Sequence, residues 1–138
     1  FFMIKFFGEE MIKKKHGSII NIGSDLSIIA PNQKIYKSSY SNYIKPVTYS
    51  VIKHGLVGLT KYFSSLYGEC NVRVNMVSPG PVKNTQSKKL LNEIKEMTPM
   101  ARLGNPNNLF GLLFLLASDK SSYITGQNIL VDGGKTII

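Results

Sequence analysis

This 138-residue chain has one cysteine, two arginines and eight acidic residues. The lone Cys70 excludes an internal disulfide and fits a reducing compartment, where it reads as a small, partly buried side chain. Eight acidic residues against 17 basic ones leave a net charge of +9, which by itself invites a nucleic-acid partner. The lysines argue otherwise. They are spread along the chain, with one short run, Lys13 to Lys15, at a helix end where cations suit the macrodipole. No nucleic-acid motif is visible. A dispersed basic surface predicts no nucleic-acid partner and stays compatible with a phosphate-bearing ligand.

Long apolar runs are also missing. The stretch Phe1 to Phe7 is interrupted by Lys5 and ended by Gly8, Glu9 and Glu10, well short of the roughly 20 apolar residues of a membrane span. It lacks the basic start and small-residue cleavage site of a signal peptide. The expectation is no membrane association and a cytoplasmic location. Position 1 is Phe and lies inside this apolar run, so the chain reads as a piece of something longer. No internal repeat and no domain boundary is visible, and the length suits a single domain.

What is present alternates. Met3 to Lys15 has helical spacing, with Gly17 as a stop. Ser18 to Gly23 is a short apolar run suited to a strand buried on both faces. Asp25 to Lys45 shows no clear period and reads as a long loop. Pro46 opens a helix to about Tyr67, closed by Gly68. Val72 to Val77 is the next strand. Ser87 to Met97 is an amphipathic helix, with Leu90, Leu91, Ile94 and Met97 on one side. Asn105-Pro106 caps a helix to Ala117, and Asn128 to Val131 is a last strand. The order α-β-α-β-α-α-β predicts an α/β fold, a parallel sheet with helices on its faces.

Ligands of such sheets bind at the carboxyl ends of the strands. Ser24 follows the first strand, Pro79-Gly80 follows the second, and Tyr49 falls in the first turn of the helix from Pro46. Tyr49 and Lys53 are four apart and share a helix face. An ammonium there favours the ionised phenol, whose ordinary pKa is about 10, and the positive end of the helix dipole acts the same way. With seven Tyr in a Lys-rich chain, one such spacing arises by chance, so the pair gains meaning only from its surroundings. Ser24 can both donate and accept a hydrogen bond, as holding a carbonyl or alcohol oxygen requires. Together these groups suit proton transfer to a substrate oxygen, the partner step of hydride transfer from a nicotinamide cofactor.

Five stretches carry a resemblance. They are Gly17 to Ser24 (GSIINIGS), Tyr49 to Lys53, Asn71 to Pro81 (NVRVNMVSPGP), Pro99 to Pro106 (PMARLGNP) and Tyr123 to Gly134 (YITGQNILVDGG). In this order the chain resembles the C-terminal half of a single-domain short-chain dehydrogenase/reductase. The resemblance implies half of a doubly wound Rossmann-type sheet, with residues 1–138 forming part of a dinucleotide-binding domain. It implies NAD or NADP as cofactor and a small carbonyl/alcohol substrate. Tyr49 would be the acid in reduction and the base in oxidation. Lys53 would lower its pKa and bind the nicotinamide ribose, and Ser24 would orient the substrate oxygen. Pro79, Gly80 and Val82 would face the nicotinamide, with the Val82 backbone toward its carboxamide. Family members pair the helices at Met3–Lys15 and Pro46–Tyr67 across a dimer interface, so a homo-oligomer is implied for the parent protein.

Three departures stand out. The family's Gly-rich phosphate turn, ribose-binding acidic residue and Asn-Asn-Ala-Gly segment do not occur in the chain, so the 138 residues alone are expected to bind NAD(P) poorly. Asn84 stands where the family has Thr, leaving Thr85 as the candidate hydroxyl for the cofactor amide. Ser24 and Tyr49 are 25 positions apart, about twice the family spacing. The extra residues, Pro31 to Pro46, place Tyr36, Tyr40 and Tyr43 among Lys34, Lys37 and Lys45. Aromatic faces with cations suit a sugar- or phosphate-bearing substrate. The loop is similar to those of surface-sugar and flagellin-modification oxidoreductases. Two alternatives stay open: a truncated, non-catalytic remnant that at most associates with a partner, and a nucleotide-sugar epimerase or dehydratase. The last shares the Tyr and Lys spacing, but Pro79-Gly80 and the short Val131-Asp132-Gly133-Gly134 ending disfavour it.

Overall fold

The computed structural model describes residues 1–40 and 43–138. Strands β1 (Gly17–Ile22), β2 (Val72–Pro79) and β3 (Asn128–Val131) form one parallel sheet in the order β1-β2-β3. Gly17 lies opposite Val72 and Ile22 opposite Val77; Met76 lies opposite Asn128 and Pro79 opposite Val131. β2 is paired on both edges, and Val72 to Ser78 are buried, as its β-branched, mostly apolar sequence requires. Among the described residues there are five helices, α1 (Phe2–Lys14), α2 (Gln33–Ser39), α3 (Val47–Tyr67), α4 (Lys88–Glu96) and α5 (Asn107–Ala117). The expected α/β architecture is present. No described helix is long and apolar enough to cross a membrane.

The strand period of two sorts the helices between the faces. Val72 and Val74 join Ile4 of α1 and Phe63 and Tyr67 of α3 in the main core, with Ile19 of β1 packed against it. Their strand neighbours face the other way. Ser18 and Arg73 both donate to the Leu116 carbonyl near the end of α5, at 2.7 and 3.0 Å. The connection through α3 and the one through α5 therefore pass over opposite faces, although the chain steps in the same direction across the sheet. The two crossovers have opposite hands, against the strong right-handed rule. Arg73, buried at the second position of β2, anchors the one through α5. Its guanidinium also donates to Ser118 O at 3.1 Å and Ser121 Oγ at 2.6 Å, filling the open carbonyls where α5 ends.

Helix ends differ in detail from the sequence reading. The left-handed residue ending α1 is Lys15 (φ 50°), not Gly17. Gly17 opens β1, and a Cβ there would press into the Met11 side chain at 2.6 Å. Beyond α3 the chain continues through a 3₁₀ turn, Gly68–Cys70, and the left-handed residue is Asn71 (φ 57°).

The larger correction concerns Asp25 to Lys45. It holds a 3₁₀ turn, Asp25–Ser27, and the helix α2 rather than an unstructured loop. Ser41 and Asn42 of this segment lie outside the described residues. Asn32 caps α2, its Oδ1 accepting from Lys34 N at 3.0 Å. A seven-residue helix is marginal alone, and α4 supports it. Ser38 Oγ donates to Glu93 Oε1 at 2.6 Å, and Lys89 Nζ donates to Ser38 O at 2.9 Å.

Replacing Arg73 with Leu removes the charged donor shared by the Leu116 and Ser118 carbonyls and the Ser121 hydroxyl. Urea unfolding should show a loss of about 3 kcal/mol or more, with Arg73→Lys retaining part of the stability.

Candidate active site

The carboxyl ends of β1 and β2 open into a cavity of about 720 Å³. Ser24 and Asp25 enter it from β1, Pro79 to Val82 from β2, and Tyr49 from α3. Leu90, Ile94 and Met97 on and beside α4 make its apolar wall. The β1 and β2 exits are held tightly. Gly23 N donates to Val77 O at 2.7 Å and Gly80 N to Val131 O at 3.0 Å. A Cβ on Gly80 would sit 2.7 Å from the Asp132 Cα, so backbone packs on backbone there.

Ser24 is buried in extended backbone (φ −166°, ψ 156°). Its Oγ accepts from Leu26 N at 3.2 Å and donates to Asp25 Oδ1 at 2.9 Å. The other carboxylate oxygen of Asp25 pairs with Lys135 Nζ at 2.6 Å, and both side chains are under 10% exposed (6% and 7%). Lys135 sits in a turn braced by Asp132, which accepts from Gly134 N, Thr136 N and Thr136 Oγ1. Burial pushes the Asp132 carboxyl up, but these hydrogen bonds outweigh it and leave the group below its ordinary range. Beneath Ser24 a closed ring satisfies three more polar side chains. Asn128 Nδ2 donates to Ser27 Oγ, Ser27 to Ser78, and Ser78 back to Asn128 Oδ1, at 3.1, 3.2 and 2.6 Å.

Tyr49 lies in the first turn of α3, its amide donating to Pro46 O at 3.1 Å. Lys53 Nζ reaches the last carbonyl of β1, Ile22 O, at 3.2 Å, and stands 5.7 Å from the Tyr49 ring centre. Lys45 stands closer, with its Nζ 4.0 Å from that centre. Asn21 Nδ2 donates to Thr60 Oγ1 at 2.9 Å, tying α3 to β1 below the site.

Of the residues singled out in the sequence, Ser24, Tyr49, Pro79, Gly80 and Val82 line the cavity together. Lys53 adjoins Tyr49 but does not line it. Thr85 is exposed and does not reach it. The Gln86 side chain closes the turn, accepting from Asn84 N at 2.7 Å and donating to Val82 O at 3.1 Å. That turns Gln86 inward and Thr85 outward. In the insertion, Tyr36, Tyr40, Tyr43 and Lys45 line the cavity, whereas Lys34 and Lys37 are exposed and outside it. Burial, then the negative charge of Asp25 and the neighbouring Tyr49 and Tyr43, push the Tyr36 hydroxyl up to about 12. Asp25 and Lys135 had no signal in the sequence: they are 110 positions apart. The described residues hold no cluster of three metal-ligating side chains.

Removing one member of the buried pair leaves the other uncompensated. Lys135→Met should lower unfolding stability by about 3–5 kcal/mol, and adding Asp25→Asn should recover much of it. Tyr36 yields a pH prediction. Between pH about 10, where the unfolded phenol ionises, and about 12, where the folded one does, the folded state holds the extra proton. Stability therefore falls as pH rises across that window. Tyrosinate absorbance should show late-titrating phenols, Tyr67 also being raised by burial, and the latest of them should be missing in Tyr36→Phe.

The family model described as enoyl-(acyl carrier protein) reductase matches residues 1–136. The 3-oxoacyl-[acyl-carrier-protein] reductase FabG of Thermotoga maritima is 36% identical over 132 residues, covering 92% of this chain and 48% of its own length. A short-chain dehydrogenase from Leptospira borgpetersenii, solved with bound NAD+, superposes with a TM-score of 0.83 at 34% identity, covering 96% of this chain and 48% of that one. A gluconate 5-dehydrogenase from Burkholderia cenocepacia, solved with NADP and tartrate, superposes at 0.85 with 26% identity, covering 98% and 51%. The chain spans about half the length of these relatives. With the strand-end cavity and the partial Rossmann-type sheet, the match over nearly every residue means that this chain belongs to the short-chain dehydrogenase/reductase family.

Proposed function

We propose that this chain is the catalytic half of an NAD(P)-dependent oxidoreductase that interconverts a carbonyl and an alcohol. The observation that carries the reading is the convergence of Tyr49, Ser24 and Pro79 to Val82 on one cavity at the strand ends. A nicotinamide fits the donor set. The Val82 amide, on the cavity wall, has no protein acceptor among the described residues, which suits a carboxamide oxygen. When bound, the cofactor supplies or accepts the hydride.

In reduction, Tyr49 gives its hydroxyl proton to the substrate oxygen; in oxidation, its phenolate takes the proton back. In this scheme Lys53, one turn along the same helix, stabilises that phenolate by charge and turns from Ile22 O to hold the ribose. Ser24 fixes the substrate oxygen beside Tyr49. Thr85 has no part in this scheme. The relatives divide between 3-oxoacyl-[acyl-carrier-protein] reductases and glycerol or gluconate dehydrogenases, and the Tyr- and Lys-bearing cavity wall favours a polyhydroxylated substrate here. The reading extends to a homo-oligomer, supported by apolar residues left exposed on α1 (Phe2 82%, Phe6 66%) and α3 (Val51 66%, Tyr62 62%).

In the intact reading frame that encodes this chain, Tyr49→Phe should lower kcat by about 10²- to 10⁴-fold with little change in melting temperature. An unchanged kcat would remove Tyr49 from the chemistry. The 138-residue chain alone, lacking a Gly-rich phosphate turn, should show no micromolar NAD(P) binding by calorimetry.

A further inference from the structure

The oxidoreductase reading leaves the insertion between Ser24 and Tyr49 without a task. Yet its last residue before Pro46 is Lys45, half-buried at the cavity beside the proposed acid/base. Three observations mark Lys45 as a built group rather than a stray surface cation. Its backbone is clamped by Gln33 of α2: Lys45 N donates to Gln33 Oε1 at 2.9 Å, and Gln33 Nε2 donates to Lys45 O at 3.2 Å. Its ammonium lies 4.0 Å from the Tyr49 ring centre and 5.6 Å from that of Tyr36, so two aromatic faces hold it. It has no carboxylate partner among the described residues, whereas the cavity's other charges, Asp25 and Lys135, neutralise each other. The net charge of the described lining is thus the single positive charge of Lys45. The helix behind it adds to this, because α3 begins two residues later and points its N-terminal end the same way.

We propose that Lys45 is the recognition group for an acidic substrate, one carrying a carboxylate or phosphate within a few carbons of the reacting carbon. This rests on the oxidoreductase reading. Tyr36, Tyr40 and Tyr43 pack edge-to-face or tilted beside it, with ring centres 6.0 Å apart for Tyr36–Tyr43 and for Tyr40–Tyr43. They present flat faces and hydroxyls to the rest of a polyhydroxylated molecule. Tyr36 stays neutral through the physiological range, so it does not repel the anion. The assignment moves anion binding away from Lys34 and Lys37, which face solvent.

The test compares matched probes. Gluconate and glucitol differ by one carboxylate against one hydroxymethyl group, and inorganic phosphate supplies the other anion. Binding to the 138-residue chain, which has no Trp, is followed by tyrosine fluorescence. Gluconate should bind at least about tenfold more tightly than glucitol. Lys45→Met should abolish that preference while leaving glucitol affinity within about twofold, and Lys45→Arg should keep it. Lys34→Met should change nothing. Competition between phosphate and gluconate shows which anion the site prefers. Equal affinity for gluconate and glucitol, survival of the preference in Lys45→Met, or no anion binding at all would each overturn the proposal. Failure here leaves the Tyr49→Phe activity test standing, and failure of that test leaves this binding result readable.

Discussion

The contact on which the site depends is the buried pairing of Asp25 with Lys135. Two opposite charges leave water at the floor of the cavity, and each is tolerable only because the other is there. The consequence is geometric. Asp25 follows Ser24, and Lys135 follows the turn after β3, so the pair fastens the end of the first strand to the end of the third across the middle one. With one carboxylate oxygen taken by Lys135, the other is fixed toward Ser24 Oγ and Leu26 N. A neutral pair of similar size could fill the space, but would not hold the Ser24 hydroxyl with a full carboxylate.

The same economy runs through β2. Its odd- and even-numbered residues serve two unlike tasks. Val72 and Val74 close an apolar core with α1 and α3, while Arg73 and Asn75 bind backbone on the opposite face. Asn75 accepts from Gln127 N and donates to Ile124 O, holding the approach to β3. These polar contacts tie the end of α5 and the approach to β3 onto one face of β2. Beyond β2, Pro79 to Val82 line the cavity opposite Leu90 and Ile94 of α4.

What the sequence made legible followed from local pattern. The three strands, four of the five helices and the convergence of Ser24, Tyr49 and Pro79-Gly80 all come from periodicity, breakers and the rule that sites form at strand ends. What it hid depends on distant partners. α2 is held by Glu93 and Lys89 of α4, so its own short sequence could not announce it, although Asn32 as a cap was a cue. Thr85 was placed by analogy of position, and a single side chain, Gln86, reversed which residue faces in. Lys53 was expected as the cation against Tyr49. Its Nζ bonds the carbonyl of Ile22 while staying 5.7 Å from the Tyr49 ring centre, and Lys45, four positions before Tyr49 but ahead of the helix that starts at Val47, takes the nearer place.

Ser24 shows how these parts bear on the proposed chemistry. Its hydroxyl has one proton, and in this structure that proton goes to Asp25 while Leu26 N occupies one lone pair. In the proposed chemistry a carbonyl oxygen beside Tyr49 takes a second donor, so Ser24 would turn its proton from Asp25 toward the substrate. An unpaired carboxylate would resist that exchange, because it would be left with less compensation in a buried site. Lys135 changes the balance by neutralising Asp25 from the far side. The carboxylate can then give up the serine proton and remain solvated by Lys135 and by Leu26 N. In the proposed chemistry the pair would do two things at once: hold Ser24 in register and ease the turn of its proton toward a carbonyl.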